Sequence, residues 1–175
     1  MKKTLHKWTG LVVTFIFLFL QMGEANAFVG SSDGTILEKQ LGNTNCFILL
    51  EPVSNEIEDS PILEIQCGLS DHALNSKILV SGSYRIVRFY DNTNFDNLII
   101  NILGTTQCSS SSSYRVSSLS ADLDNRISSA NGYSGCNNIS VYDRANYSGD
   151  SFFCQYSCSS FGSMNDRVSS WKVTN

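Results

Sequence analysis

"VYDRANYSG" (141–149), followed by "NDRVSS" (165–170), decides how this chain folds, because the pair occurs twice. The earlier copy is "FYDNTNFDN" (89–97), followed by "DNRISS" (124–129). Each upstream stretch spaces two aromatics and a turn residue alike: Tyr142, Tyr147 and Gly149 in one, Tyr90, Phe95 and Asn97 in the other. A hairpin folded over on itself needs a residue at positive φ, which glycine adopts freely and asparagine tolerates. An aromatic ring at the start of such a hairpin can pack across the bend as a lid. Each downstream hexapeptide places two carboxylate or amide side chains first, then an arginine and an apolar residue, then paired serines. An internal repeat of this length is a supersecondary unit used more than once.

Working outward, long helical periodicity is absent. Short runs rich in β-branched and aromatic residues recur instead: "CFILLE" (46–51), "ILEIQC" (62–67), "KILV" (77–80), "YRIVRFY" (84–90), "LIINIL" (98–103), "NISVYD" (138–143), "SFFCQY" (151–156) and "SSWKV" (169–173). Bounded by Asn, Asp, Gly and Ser, these predict strands. "SGS" (81–83) offers a hairpin glycine between "KILV" and "YRIVRFY". The serine-rich "CSSSSSYRVSSLS" (108–120) predicts a flexible surface loop. The expected class is all-β, a sandwich of antiparallel sheets.

At the N-terminus, Lys2, Lys3 and Lys7 precede the apolar run "LVVTFIFLFL" (11–20) and the small-x-small site "ANA" (25–27). That layout predicts a secretory signal peptide over residues 1–27, with no membrane anchor after its cleavage. The formal net charge is −4, and most of the leader's charge is basic, so the remaining chain is more acidic still. An acidic chain without a basic cluster is a poor partner for nucleic acid and attracts cations. All six cysteines lie beyond the leader, which in an exported chain predicts three disulfides. Cys46 and Cys67, at the open ends of a hairpin, are the preferred pair. Zinc is disfavoured, since no C-x-x-C occurs and His72 is the only histidine left after cleavage.

With both repeats in view, the sequence resembles the βγ-crystallins, specifically their microbial and secreted calcium-binding members. Residues 142–170 match the aromatic spacing and the [N/D]-[N/D]-x-x-[S/T]-S stretch of that family. Residues 90–129 match with Asn97 in place of glycine and with an insertion at the serine-rich loop. The resemblance implies a Greek-key β-sandwich over residues 84–175, with motifs at about 84–135 and 136–175. Residues 28–83 then form a β-rich N-terminal region. "FILLEP" (47–52) and "DHALNS" (71–76) there suggest a degenerate third motif lacking its aromatic hairpin.

The resemblance also implies two calcium sites shared between the hexapeptides. Asp124 and Asn125 would share one ion with Ser169, while Asn165 and Asp166 would share the other with Ser128. Calcium takes six to eight oxygens, the donor type the hexapeptides carry. One carboxylate per hexapeptide implies weak affinity, on the order of 10⁻⁵ to 10⁻³ M, suited to extracellular calcium.

For catalysis the support is thin. A triad would have to use His72, and no spacing singles out a carboxylate pair. The expected function is a secreted, non-enzymatic calcium-binding protein of structural or stress-related type. The alternative is a protease inhibitor or toxin-like binder, since secreted relatives of this fold include both. "CSSSSSYRV" (108–116) would then be the inhibitory loop if Cys108 is bonded, and an extracellular protease the partner.

Overall fold

Residues 46–54 and 58–175 are described in a computed structural model of the chain. The expected signal peptide, and the N-terminal region up to residue 45, lie outside the described residues. The strands are β1 (Cys46–Leu50), β2 (Ile62–Cys67), β3 (Tyr84–Tyr90), β4 (Leu98–Gly104), β5 (Tyr114–Val116), β6 (Ser129–Gly132), β7 (Asn138–Arg144), β8 (Ser148–Gln155), β9 (Ser157–Cys158) and β10 (Ser170–Thr174), with one α-helix among the described residues, α1 (Asp71–Ser81).

Two sheets form the sandwich. One has the order β2-β1-β4-β3-β6-β9 and the other β5-β10-β7-β8. Strands β3 to β6 come from the first repeat and β7 to β10 from the second. Each repeat keeps three strands in its own sheet and sends its third to the other: β5 pairs with β10, and β9 pairs with β6. Period-two alternation decides which side chains face inward. In β7, Ile139 and Val141 are buried while Asn138 and Ser140 are less so; in β10, Trp171 and Val173 point in and Lys172 outward. The sheets meet at Phe89 of β3 and Trp171 of β10, whose ring centroids are 5.3 Å apart. Full burial of such side chains contributes about 1.5–3 kcal/mol each.

The N-terminal strands extend the first sheet. β1 runs parallel to β4, and β2 returns antiparallel to β1, so this sheet is mixed rather than purely antiparallel. Cys46 and Cys67 are bonded as expected, and Cys108–Cys136 and Cys154–Cys158 complete three disulfides. Beyond β1 the chain crosses to the second sheet. Val53 bridges to Ser113, and Ser60 exchanges hydrogen bonds with Arg115.

Four more expectations are corrected. "KILV" is no strand but the last part of α1, and "SGS" is no hairpin turn: Gly82 is the αL C-cap of that helix. Ser70 caps its start, accepting from the Ala73 N–H at 3.2 Å. "DHALNS", expected to hold a third hexapeptide, is the first part of the same helix, so its side chains follow a helical period. The serine-rich segment is only partly a surface loop. Within it, Tyr114 and Arg115 are buried in β5, since β10 needs a partner on its outer side.

Candidate functional site

Both aromatic hairpins fold as the spacing requires. Tyr90 meets Phe95 edge-on at 5.8 Å, and Tyr142 meets Tyr147 edge-on at 5.9 Å. The bends carry positive φ at Asn94, Phe95 and Asn97 in one hairpin, and at Asn146, Tyr147 and Gly149 in the other. At Gly149 a Cβ would stand 1.9 Å from Asp143 Oδ1, so the tight approach itself demands glycine.

The hexapeptides interlock about a pseudo-twofold axis. The second residue of each is in the left-handed region, Asn125 at φ 58° and Asp166 at φ 56°. Asn125 N–H donates to Val168 O at 3.0 Å, and Asp166 N–H donates to Ile127 O at 3.2 Å, so each copy is clasped by the other. The fifth-position backbones are equivalent too: Ser128 N–H donates to Tyr90 O and Ser169 N–H to Tyr142 O.

Sixth-position serines do work that sequence reasoning missed. Ser129 Oγ donates to Asn92 O (2.6 Å) and accepts from Phe95 N–H (3.2 Å). Ser170 Oγ donates to Arg144 O (2.7 Å) and accepts from Tyr147 N–H (3.1 Å). Both serines are fully buried and tie the folded hairpin to the hexapeptide. A second missed pairing joins the third-position arginines to the acid after the first aromatic. Arg126 binds Asp91 at 3.0 Å; Arg167 binds Asp143 at 2.8 Å and Asp150 at 3.0 Å. The hydrogen bonds that Arg167 donates to Asp150 and then to Asp143 hold its guanidinium yet more firmly protonated. The signal was available, because Tyr-Asp (90–91, 142–143) and the arginine recur together.

Of the six expected site residues, Ser128, Asn165 and Asp166 come together at one open cleft of about 500 Å³. Its other wall is the first hairpin, Asp91 to Asn94 and Asp96. Ser128 Oγ donates to Asp166 Oδ1 at 2.8 Å. Asn165 plays a different part: its Oδ1 accepts from Phe161 N–H at 2.8 Å and caps the turn before the hexapeptide. Asp124, Asn125 and Ser169 lie together around the Asn125–Val168 bond. There Asp124 Oδ2 accepts from Asn125 Nδ2 at 3.0 Å, and Asp124 Oδ1 is buried without a partner.

The donor set decides what could be held. The cleft offers hydroxyl, carboxylate and amide oxygens and no nitrogen or sulfur ligand, the set a hard cation such as calcium takes. Among the described residues, no three His, Cys, Asp or Glu side chains stand together as a ready metal group. An ion here would therefore rely on Asp166, Ser128 and hairpin oxygens, which fits calcium and excludes a structural zinc set. His72 is exposed on α1.

No protein-family model and no curated protein matches the chain. Solved structures do. A point mutant of a βγ-crystallin domain from Clostridium beijerinckii is 22% identical, with 51% of this chain and 98% of that chain covered and a TM-score of 0.39. A double mutant of clostrillin, solved in complex with nickel, is 21% identical, with 52% and 99% covered and a TM-score of 0.40. A βγ-crystallin from an archaeon is 19% identical, with 51% and 96% covered and a TM-score of 0.37. Two aromatic-hairpin units exchange their third strands across an all-β sandwich, the class of fold that the sequence resemblance implied.

Proposed function

We propose that the chain is an exported, non-enzymatic calcium-binding protein whose fold the ion stabilises. The observation that carries this reading is the contact of Ser128 with Asp166 across the two hexapeptides, at the mouth of an oxygen-lined cleft. Neither hexapeptide alone surrounds a cation; joined, they present a partial coordination shell that an ion and water would complete. Three disulfides support an oxidising compartment, and no helix of the described residues is long and apolar enough to cross a membrane. A ligand that binds the folded chain alone raises its stability by about 2.7 kcal/mol at a hundred times its dissociation constant. The test is a thermal melt of the disulfide-intact chain in calcium and in chelator. A rise in Tm with calcium supports the reading, and an unchanged Tm refutes it.

A second reading, a protease inhibitor, rests on the serine-rich turn. Cys108 is bonded to Cys136, and Ser109 and Ser112 bridge across the exposed tip. A rigid, disulfide-anchored turn is what a canonical inhibitor presents. Stoichiometric block of any extracellular protease in a panel supports it, and cleavage within residues 109–113 without inhibition removes it.

A further inference from the structure

The pseudo-twofold is broken at the residues that matter for charge. The same backbone position carries Asp166 in one hexapeptide and Asn125 in the other, both left-handed and both clasped by the opposite copy. In the second copy its side chain lines the cleft, where Asp166 Oδ1 accepts from Ser128 Oγ. The carboxylate of the other copy sits one residue earlier, at Asp124. The equivalent of that position, Asn165, caps a turn through its side chain. Swapping "DN" for "ND" thus moves a negative charge from the turn into the cleft.

The hairpins differ in the same sense. Asn92 and Arg144 are equivalent, since their carbonyls accept from Ser129 and Ser170 respectively. Asp96 and Ser148 are equivalent by the aromatic spacing. The cleft at Asp166 therefore faces Asp91, Asn92, Thr93 and Asp96, whereas the corresponding hairpin keeps an equivalent acid, Asp143, but follows it with Arg144 and Ala145 and carries Ser148 in place of Asp96. A guanidinium replaces a neutral amide and a hydroxyl replaces a carboxylate. Each change disfavours a divalent cation through like-charge repulsion or a lost anionic ligand.

We infer that the two sites are functionally unequal: the chain binds one calcium ion, at Asp166 and Ser128, and the site at Asn125 and Ser169 stays without one. This rests on the calcium reading above and adds which half of the repeat carries it. Asp166 is the positioned anionic ligand, and Arg144 is the residue that closes the second site to divalent ions. Buried and unpartnered, Asp124 Oδ1 and Asp143 Oδ1 are features that would favour the opposite assignment, and the test includes Asp124, the carboxylate of that hexapeptide.

The experiment is calorimetric titration of calcium into the disulfide-intact chain and three variants, with near-ultraviolet circular dichroism to check folding. Asn accepts the left-handed region at least as well as Asp, so Asp166→Asn preserves the backbone. The wild type is expected to bind one ion, Asp166→Asn to lose affinity tenfold or more, and Asp124→Asn to retain it. The double variant Asn125→Asp with Arg144→Asn is expected to bind two. Two ions on the wild type, or binding that survives Asp166→Asn and disappears in Asp124→Asn, overturns the inequality while the calcium reading stands. No heat and no shift in Tm for the wild type overturns the calcium reading itself.

Discussion

Replacing Ser170 with alanine should destabilise the protein far more than replacing its neighbour Ser169, although the two are chemically identical and adjacent. Ser170 is fully buried, and its hydroxyl serves two backbone groups of the second hairpin at once. Alanine leaves Tyr147 N–H and Arg144 C=O without that partner, in a partly buried place. An unmade hydrogen bond of this kind costs about 1–1.5 kcal/mol when some water can reach it, so the pair sums to about 2–3 kcal/mol. For a protein of this size that lowers Tm by about 5–10 °C. Ser169 is half-buried and is held through its backbone, donating from N–H to Tyr142 O, which alanine keeps. Its replacement should stay within about 0.5 kcal/mol of wild type in chelator. The assay is a denaturant and thermal melt of both variants without calcium, with amide exchange of Tyr147 as the local readout. Equal Tm losses, or a Tyr147 amide that exchanges no faster in Ser170→Ala, would refute the assignment of the sixth position to the hairpin.

Other outcomes follow from the same geometry. Gly149→Ala should destabilise by about 1–2 kcal/mol from its positive φ alone, and by more once Asp143 is pushed off Arg167. Asn97→Gly at the equivalent position should lie close to wild type by the same melt. Reducing or deleting Cys46–Cys67, which spans 21 positions, should cost about 3 kcal/mol by chain entropy and lower the denaturant midpoint accordingly. The Tyr147 phenol is pushed above its ordinary range by burial and by its hydrogen bond to Asp59. Because the folded chain holds this proton more tightly than the unfolded one, the stability it lends is complete below about pH 10. It falls as pH rises beyond that. Ultraviolet titration should show one tyrosine ionising late, and Asp59→Ala should bring it back towards the others.

Strands whose side chains alternate about the Phe89–Trp171 seam were legible because the period of two survives in "NISVYD" and "SSWKV". The hairpin bends were legible because positive φ restricts residue choice, leaving Gly149 and Asn97 as marks. Helix α1 was not, because it buries only Leu74 and leaves Leu79 and Val80 exposed, so no apolar stripe announces it. Its legible trace lay in the caps, Ser70 and Gly82. Strand β5 was hidden because three residues between serines carry little pattern, and its partners are β10 and Ser60, with Val53 bridging to the adjoining Ser113, all distant in sequence. The site divided likewise. The donor types were plain, whereas the difference between a turn-capping first position and a cleft-facing second position depends on backbone conformation that residue names do not encode.

The exchange of third strands has a consequence for timing. β5 cannot pair with β10 until residues 170–174 have been made, and β6 gains β9 only from the second repeat. β10 lies between β5 and β7, so the second sheet stays in two pieces until that strand arrives. Neither repeat is then an autonomous folding unit, and completion waits on contacts of long sequence separation, the slow kind. Loss of β10 alone would leave β5 and β7 without a common neighbour and split the second sheet.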